Sequence, residues 1–175
     1  MGGFAMSGEI GLPKTERGAV SIRRLTSPTR DEVEQLAALF DEYRVHYGED
    51  TSPGASAQWL EANRASGRLQ VFVAIDNVHA IGFALATVIP ASLRLGHFWQ
   101  IRDLFVAPSH RRRGVGGLLL ESVCDAAASD GALRVSLQTE SDNATALRLY
   151  LRRGFAIVEG YHALALPLQN VEEST

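Results

Sequence analysis

The sequence predicts a mixed α/β fold in which helices flank one β-sheet within a single domain. Apolar residues alternate as in strands in some segments and recur at three- and four-residue steps, as in helices, in others. Hydrophobic residues make up 46% of the 175 residues and charged residues 21%, the balance of an ordinary globular protein and not of a disordered one. A chain of this length suits one domain that buries roughly 70% of its unfolded surface.

The domain is expected over residues 19–169. Residues 1–18 carry five glycines and scattered charge without periodicity, so we expect a flexible N-terminal arm there. Residues 170–175 are expected to form a short C-terminal tail. No internal repeat or linker interrupts the region between them.

The first half of the chain begins with a predicted strand over residues 20–25. Ser27-Pro28-Thr29 breaks this strand and offers a helix cap. A helix of about 16 residues follows. Its apolar face is formed by Val33, Leu36, Ala37, Phe40, Tyr43 and Tyr47. After a polar loop, a second short helix is predicted over residues 55–66 and ends at Gly67.

The middle of the chain has the β-branched and aromatic composition of strands. Strands are predicted over residues 69–75, 80–89 and 97–106, joined by a turn at Asp76-Asn77 and a loop over residues 90–96. Gly82, inside the second of these strands, indicates a β-bulge.

The last third alternates helices and strands. An amphipathic helix is predicted over residues 114–129, a strand over 133–139, and a helix over 143–153 that is closed by Gly154. Two final strands are predicted over residues 155–158 and 161–168.

Composition excludes several classes of function. The longest nearly apolar run, residues 80–89, has ten residues, whereas a membrane span needs about 20. Cys124 is the single cysteine and has no internal disulfide partner; with no basic-then-apolar leader, this favours a cytoplasmic protein. The net charge of −3 argues against a general nucleic-acid binder.

The segment from His110 to Leu118 follows an apolar strand and opens a helix. Its glycines let backbone N–H groups approach an anion closely, and the helix N-terminus adds unpaired donors and a positive dipole end. Three consecutive arginines, Arg111, Arg112 and Arg113, supply charge-assisted bonds. This pattern indicates a pyrophosphate site, although a glycine-rich turn with a solvated basic rim has the same sequence. Leu118 and Leu119 exclude a Walker A loop and a dinucleotide fingerprint, respectively.

A second segment runs from Asn143 to Phe155. Asn143 suits a helix N-cap, and Ala146, Leu149 and Tyr150 share one helix face. Taken alone, Tyr150 is more typical of a core aromatic residue than of a catalyst.

Together these two segments resemble the GNAT superfamily of acyl-CoA N-acyltransferases. The resemblance covers residues 20–168. Its motifs are the strand at residues 104–108, Arg111-x-x-Gly114-x-Gly116, and Asn143-x-x-Ala146-x-x-Leu149-Tyr150-x-x-x-Gly154-Phe155. The resemblance implies a mainly antiparallel sheet flanked by helices, with a bulge that splays the strand over 97–106 from the strand over 133–139.

The resemblance also implies roles for individual residues. Coenzyme A would lie on the strand edge and on the loop amides, and Asn143 would line its pantetheine channel. The implied cofactor-binding residues are Leu104, Phe105, Val106, Arg111, Arg112, Arg113, Gly114, Val115, Gly116, Gly117, Asn143 and Tyr150. The Val106 amide would polarise the acetyl carbonyl, and Tyr150 would protonate the departing thiolate.

The sequence departs from the family pattern at the general base. The positions that often carry it are Gln100 and Arg102, and neither side chain is a suitable base. Asp103 is acidic, but on a regular strand it points to the opposite face from Arg102. His97, Glu140 and a water chain remain open as alternatives.

The acceptor site is expected near the first helix. Residues 31–50 contain seven acids and one arginine, a pattern that suits a cationic amine but equally a solvated helix face. The candidate acceptor residues are Asp41, Glu42, Tyr43, Tyr47 and Asp103, with His46, Glu49 and Asp50 beside them. Trp59, Phe98 and Trp99 are either pocket walls or core residues.

The function predicted from these observations is acetyl transfer from acetyl-CoA to a primary amine of a small molecule, by direct attack in a ternary complex. The alternative is a non-catalytic acyl-CoA-binding module or sensor, which the missing base would favour and Tyr150 would disfavour. No metal, nucleic-acid or membrane partner is expected. The resemblance allows a homodimer.

Overall fold

The computed structural model describes residues 20–160 and 162–166. These residues form two compact units that divide between Gln138 and Thr139. The first unit contains a mixed five-stranded sheet and three helices, and the second contains one helix. The predicted N-terminal arm and C-terminal tail lie outside the described residues. None of the helices in the described part of the chain is long and apolar enough to span a membrane.

The sheet of the first unit has the strand order β1-β2-β3-β4-β5, with antiparallel pairs up to β4 and a parallel β4–β5 pair. This confirms the predicted mixed, mainly antiparallel sheet. The strands are β1 (Ser21–Arg24), β2 (Gln70–Asp76), β3 (His79–Ala91), β4 (Gly96–Val106) and β5 (Val135–Leu137).

Local sequence signals account for the helices α1 (Arg30–His46), α2 (Pro53–Ala65) and α3 (Val115–Ser129). α1 begins with a capping box in which the Thr29 hydroxyl accepts from the Glu32 N–H and the Glu32 carboxylate accepts from the Thr29 N–H. α2 begins with Pro53, whose fixed φ suits a first helical turn. In the second unit, α4 (Ala144–Arg152) is capped by Asn143 and followed by Gly154, which adopts φ 95°.

Helices cover both faces of the sheet. α1 and α2 pack on one face around a cluster that includes Phe40, Phe83 and Phe105. α3 covers the opposite face, where Leu119 and Val123 are fully buried. Burial of large apolar side chains on both faces holds β3 and β4 in place.

β3 and β4 approach each other closely at Gly82. A Cβ built on Gly82 would lie 2.9 Å from the Phe105 carbonyl oxygen, so this position requires glycine. The predicted bulge is beside Gly82, because Ala74 pairs with Gly82 and Ile75 pairs with Ala80, which leaves Ile81 as the extra residue.

A second bulge lies in β4. Leu85 pairs with Asp103 and Ala86 pairs with Ile101, so Arg102 is the extra residue. The last β4–β5 pair is also at Ile101, which means that the two strands part where the bulge begins. This confirms the bulge and the splayed strand pair implied by the family resemblance.

Two predictions about strands are corrected. The loop predicted over residues 90–96 begins later, because β3 continues through Pro90 to Ala91. His97, the partner of Pro90, accepts from the Leu133 N–H through its carbonyl, so this pair exchanges no ladder bond and the missing N–H of proline costs nothing there.

The predicted strand over residues 155–158 is absent, since these residues have no regular secondary structure. Residues 162–166 are also irregular, and the rest of the strand predicted over 161–168 lies outside the described residues. The apolar composition of this part of the chain was the misleading signal, because Ile157, Val158, Leu164 and Leu166 are all exposed.

Candidate active site

β4 ends in an open edge. The Ala107 N–H donates to the Ile81 carbonyl at 2.9 Å, at the end of the β3–β4 ladder. Because bonded and non-bonded pairs alternate in an antiparallel ladder, Leu104 and Val106 direct their N–H and C=O groups away from β3. β5 pairs with β4 only as far as Ile101, so no strand among the described residues covers this part of the edge. An extended ligand can pair with an edge of this kind as an added strand.

The loop after β4 presents a row of backbone donors. A 3₁₀ turn over Pro108–His110 leads into α3 through two left-handed residues, Arg112 at φ 60° and Gly114 at φ 84°. Within the described part of the chain, the six N–H groups from Arg112 to Gly117 donate to no protein acceptor. Consecutive free amides at a helix start form a concave site for an anion.

The three arginines of the loop are not equivalent. The Arg111 N–H is already bonded to the Pro108 carbonyl at 3.3 Å, so it is not part of the free row. Its side chain turns back onto β4, where Nε donates to the Val106 carbonyl at 2.9 Å and the guanidinium lies 5.5 Å from the centre of the Phe105 ring. Arg112 and Arg113 are exposed and lie beside the free amides.

Tyr43 and Asp103 join α1 to β4. The Tyr43 hydroxyl donates to Asp103 Oδ1 at 2.6 Å in a half-buried position. The Tyr43 ring contacts Phe83, Phe105 and Tyr47, with centroid distances of 5.0–5.6 Å. The sequence named Tyr43 and Asp103 as separate candidates and did not indicate that they bond to each other.

The bulge at Arg102 explains why Asp103 faces α1. In a regular strand Ile101 and Asp103 would share a face. Here their β3 partners are the adjacent residues Ala86 and Leu85, so Ile101 faces α3 and Asp103 faces α1 with Phe105. The adjacent charges of Arg102 and Asp103 in an otherwise apolar strand were the only sequence signal for this change of face.

Asp41 is engaged inside the first unit. Its side chain is 5% exposed, and its carboxylate accepts from the Thr51 hydroxyl, the Ser52 N–H and the Ser56 hydroxyl at 2.6–2.9 Å. These bonds hold the pKa of Asp41 below its ordinary value, and the bond from the Thr51 hydroxyl contributes most. Asp41 therefore ties the end of α1 to the start of α2 and is not open to an acceptor.

The other acidic candidates lie at the surface. Glu42, Glu49 and Asp50 are exposed, and Arg44 lies 3.7 Å from Glu49. Arg44 also donates to the Asp50 carbonyl oxygen, so it neutralises only part of this negative region. Tyr47 is 57% exposed and Trp59 48% exposed, which leaves both rings accessible to a ligand.

Other candidates have structural contacts. His97 Nε2 lies 3.0 Å from Asp130 Oδ2, and the Trp99 indole donates to the same oxygen at 3.1 Å. Trp99 is fully buried, and Arg134 stacks on Phe98 with 3.9 Å between the guanidinium and the ring centre. These contacts connect the start of β4 to the end of α3.

In the second unit, the side-chain amide oxygen of Asn143 (Oδ1) accepts from the Ala146 N–H at 3.1 Å, which confirms its predicted N-cap position. Tyr150 is 8% exposed, and its ring centre lies 6.0 Å from that of Phe155.

A strand that splays from its neighbour and leads into a loop of free amides defines the class of acyl-transferring enzymes that the sequence resembles. Residues 33–155 match the model of the acetyltransferase (GNAT) family. The chain therefore belongs to this family and is an acetyltransferase. The family generally uses acetyl-CoA as its co-substrate.

Two relatives show the extent of the similarity. The chain is 31% identical to the uncharacterized N-acetyltransferase YhfO of Bacillus subtilis (strain 168), over 72% of this chain and 85% of the relative. It is 33% identical to the streptothricin acetyltransferase of Streptomyces lavendulae, over 69% of this chain and 65% of the relative.

Solved structures share the fold. A crystal structure described as a probable acetyltransferase matches with a TM-score of 0.78 and 27% identity, covering 86% of this chain and 99% of the other. An aminoglycoside acetyltransferase from an uncultured soil metagenomic sample matches with a TM-score of 0.73 and 18% identity, covering 86% and 97%.

Proposed function

We propose that this enzyme transfers the acetyl group of acetyl-CoA to a primary amine of a small molecule, by direct attack within a ternary complex. The observation that carries the proposal is the row of six free amides from Arg112 to Gly117 beside the open edge of β4. This combination fits the two halves of coenzyme A, a compact pyrophosphate and an extended amide-containing arm.

The pyrophosphate is proposed to lie on the loop amides. The left-handed conformation of Arg112, together with that of Gly114, turns the loop amides towards one side, and this arrangement supports a binding role for the loop. Arg112 and Arg113 add charge, and the free amides of Val115, Gly116 and Gly117 add the positive end of α3. Arg111 contributes by holding the end of β4 and not through its own N–H.

The pantetheine arm is proposed to pair with Leu104 and Val106 as an added strand. Phe105, between them, keeps its side chain in the core, which fixes the edge. The Val106 N–H would then donate to the acetyl oxygen as negative charge develops on it during attack. We retain for Asn143 the channel-lining role that the resemblance implies.

The chemistry needs a neutral amine and a protonated leaving group. The amine nitrogen attacks the acetyl carbonyl carbon, the bond from this carbon to sulfur breaks, and the thiolate of coenzyme A leaves. Tyr150 is proposed to give this thiolate a proton, as the resemblance implies. The amine loses a proton to water or to a base that the residues at positions 100 and 102 do not supply.

The acceptor is proposed to be a small cationic amine bound near α1, with Tyr47 as one wall. The exposed acids Glu42, Glu49 and Asp50 support this choice, as does the similarity to an enzyme named for streptothricin. We leave Asp41 out of this set because its carboxylate is already bonded. No nucleic-acid or membrane partner is part of the proposal.

Release of coenzyme A thiol in a panel of amines tests the proposal. We expect turnover with acetyl-CoA and one or more small primary amines, and the acetylated amine should appear by mass spectrometry in equal amount. Acetyl-CoA binding without thiol release for any amine, peptide or protein acceptor would instead support the acyl-CoA-binding module.

A further inference from the structure

Asp103 differs from the other partly buried acids of the described residues. Glu32, Asp41, Glu61 and Asp76 each accept from at least one N–H donor, and the first three also lie beside an arginine. Among the described residues, Asp103 accepts only from the Tyr43 hydroxyl, on Oδ1. No arginine or histidine of the described part of the chain lies within salt-bridge distance of it.

The surroundings of Asp103 make this lack of a partner costly. On its face of the sheet lie the rings of Tyr43, Phe83 and Phe105, which offer no compensating charge. The Arg111 guanidinium, which lies beside the Phe105 ring, is committed to the Val106 carbonyl. A half-buried carboxylate without a cation gains free energy when a ligand supplies one.

The position of Asp103 along β4 limits which cation this is. Asp103 lies three residues before Val106, a separation of roughly 10 Å along a strand. The Val106 N–H points into the open edge, whereas the Asp103 carboxylate points towards α1. A nitrogen bound at the Asp103 carboxylate is therefore too far from an acetyl group at the Val106 N–H to attack it, but a second nitrogen of the same small molecule can reach that group.

We propose that Asp103 binds the second, non-reacting ammonium of a diamine acceptor, while the reacting nitrogen lies at the carbon of the acetyl group whose oxygen accepts from the Val106 N–H. Tyr43 is a positioning residue that fixes Oδ1 and leaves Oδ2 for the ligand. The aromatic rings on this face also favour an ammonium over a neutral group through their π faces. The inference extends the proposed function by naming the class of acceptor, and it depends on that function.

A series of linear α,ω-diamines of increasing length, each paired with the monoamine of the same chain length, tests the proposal. The measured quantity is the ratio of kcat/KM for the diamine to kcat/KM for the monoamine. We expect the wild-type ratio to peak at an intermediate length, because only one range of nitrogen separations spans the two sites. Asp103→Asn should lower the peak about 10- to 100-fold, the effect expected for a lost charged hydrogen bond.

Three variants distinguish a ligand-binding role of Asp103 from a structural one. In Asp103→Asn, kcat/KM should fall at least about tenfold further for the diamine than for the monoamine, whereas a folding defect would lower both equally. Tyr43→Phe keeps the ring but removes the hydroxyl that positions Asp103. The peak of the kcat/KM ratio against chain length should therefore become broader, because KM changes while kcat does not. Asp76→Asn, a matched change at the end of β2, should keep the wild-type profile.

A flat length profile in an active wild-type enzyme would overturn the proposal while leaving the proposed function intact. An equal loss for monoamines and diamines in Asp103→Asn would overturn it as well, since that result indicates a structural role. The proposed function itself fails only if no amine releases thiol.

Discussion

Two aspartates, Asp41 and Asp103, show how the partners of a side chain decide its task. Asp41 is surrounded by hydroxyl and N–H donors and is satisfied within the fold. Asp103 has one hydroxyl donor and no cationic partner in the described part of the chain. The sequence marked both as acceptor candidates, because residue type alone does not reveal how many donors the fold brings to a carboxylate.

Asp41→Asn should destabilise the protein in a pH-dependent way. The folded-state pKa of Asp41 is lowered, so the ionised carboxylate contributes stability that is fully present above its unfolded pKa of about 3.9 and is lost as pH falls through the lower folded value. Asparagine also places an NH₂ group, which cannot accept a hydrogen bond, beside the hydroxyl and N–H donors that surround Asp41. We expect Tm at neutral pH to fall by roughly 3–8 °C, and the gap to wild type to narrow below about pH 4.

Thermal melts between neutral and acid pH check this prediction. Glu34→Gln is the matched control, because its carboxylate forms only an exposed pair with Arg30 and should change Tm very little. A difference between Asp41→Asn and wild type that stayed constant down to the lowest pH would show that the charge of Asp41 is not what stabilises the fold.

Tyr150→Phe should affect the chemical step. The change keeps the ring and removes only the hydroxyl that is proposed to protonate the thiolate. A positioned acid contributes about 10²- to 10⁴-fold, so we expect kcat to fall by a factor in that range while acetyl-CoA affinity stays near wild type. Single-turnover kinetics measure the step directly, and calorimetry measures the affinity. Near-normal single-turnover rates would make Tyr150 a core aromatic residue only.

At the scale of elements, β4 does most to position the site. One extra residue, Arg102, separates β4 from β5, exposes the edge at Leu104 and Val106, and turns Asp103 towards α1. Helix caps and apolar periodicity allowed α1, α2, α3 and α4 to be predicted from the sequence to within a few residues. These signals depend on residues that are close in sequence, so the tertiary contacts of the folded protein do not change the helices that they predict.

The features that sequence reasoning missed depend on non-local pairing. Residues 155–158 form a short apolar run typical of a strand, but such a run does not supply a neighbouring strand. Pro90 ends a strand in most contexts and is tolerated here only because its pair with His97 exchanges no ladder bond. The Tyr43–Asp103 bond joins residues 60 positions apart, a distance at which no spacing rule applies.

Gly116→Val should weaken acetyl-CoA binding, because it adds a side chain in the first turn of α3. A side chain at this position would stand between the row of free amides and the pyrophosphate, so several charge-assisted bonds would lengthen together. We expect the dissociation constant to rise more than about tenfold. Calorimetry with acetyl-CoA measures the effect.

Ala128→Val is the control for Gly116→Val. It places the same β-branched residue on an exposed position near the other end of α3, where only helix propensity changes. Its acetyl-CoA affinity should equal that of wild type. Unchanged affinity in folded Gly116→Val would remove the loop from the proposed cofactor site.

At the scale of the whole molecule, charge is unevenly distributed along the chain. Residues 31–50 carry seven acids and one arginine, a local charge of −6 against −3 for the entire chain. The loop after β4 has the opposite sign, with three consecutive arginines. Such a distribution attracts an anionic cofactor and a cationic acceptor to different regions of the surface.

This distribution predicts a salt-dependent preference for dicationic over neutral acceptors. Glu32, Glu34 and Asp41 are paired within the fold, and Asp31 lies in the first turn of α1, away from its end. The steering charge at the end of α1 is therefore left to Glu42, Glu49 and Asp50. Exposed charges are screened beyond about 8 Å at 0.15 M ionic strength. We therefore expect kcat/KM for a diamine to fall about 3- to 10-fold from low salt to physiological ionic strength, with little change for a neutral arylamine.

The triple variant Glu42→Gln, Glu49→Gln and Asp50→Asn should lower the diamine rate at low salt and remove most of its salt dependence. Asp31→Asn, an exposed acid in the first turn of α1, is the control and should keep the wild-type slope. Asp103→Asn should also keep the slope, because a direct contact at a half-buried carboxylate is screened far less than long-range attraction. If the triple variant retains the wild-type salt dependence, the acids of residues 31–50 form only a solvated surface, and acceptor selection must come from direct contacts such as that at Asp103.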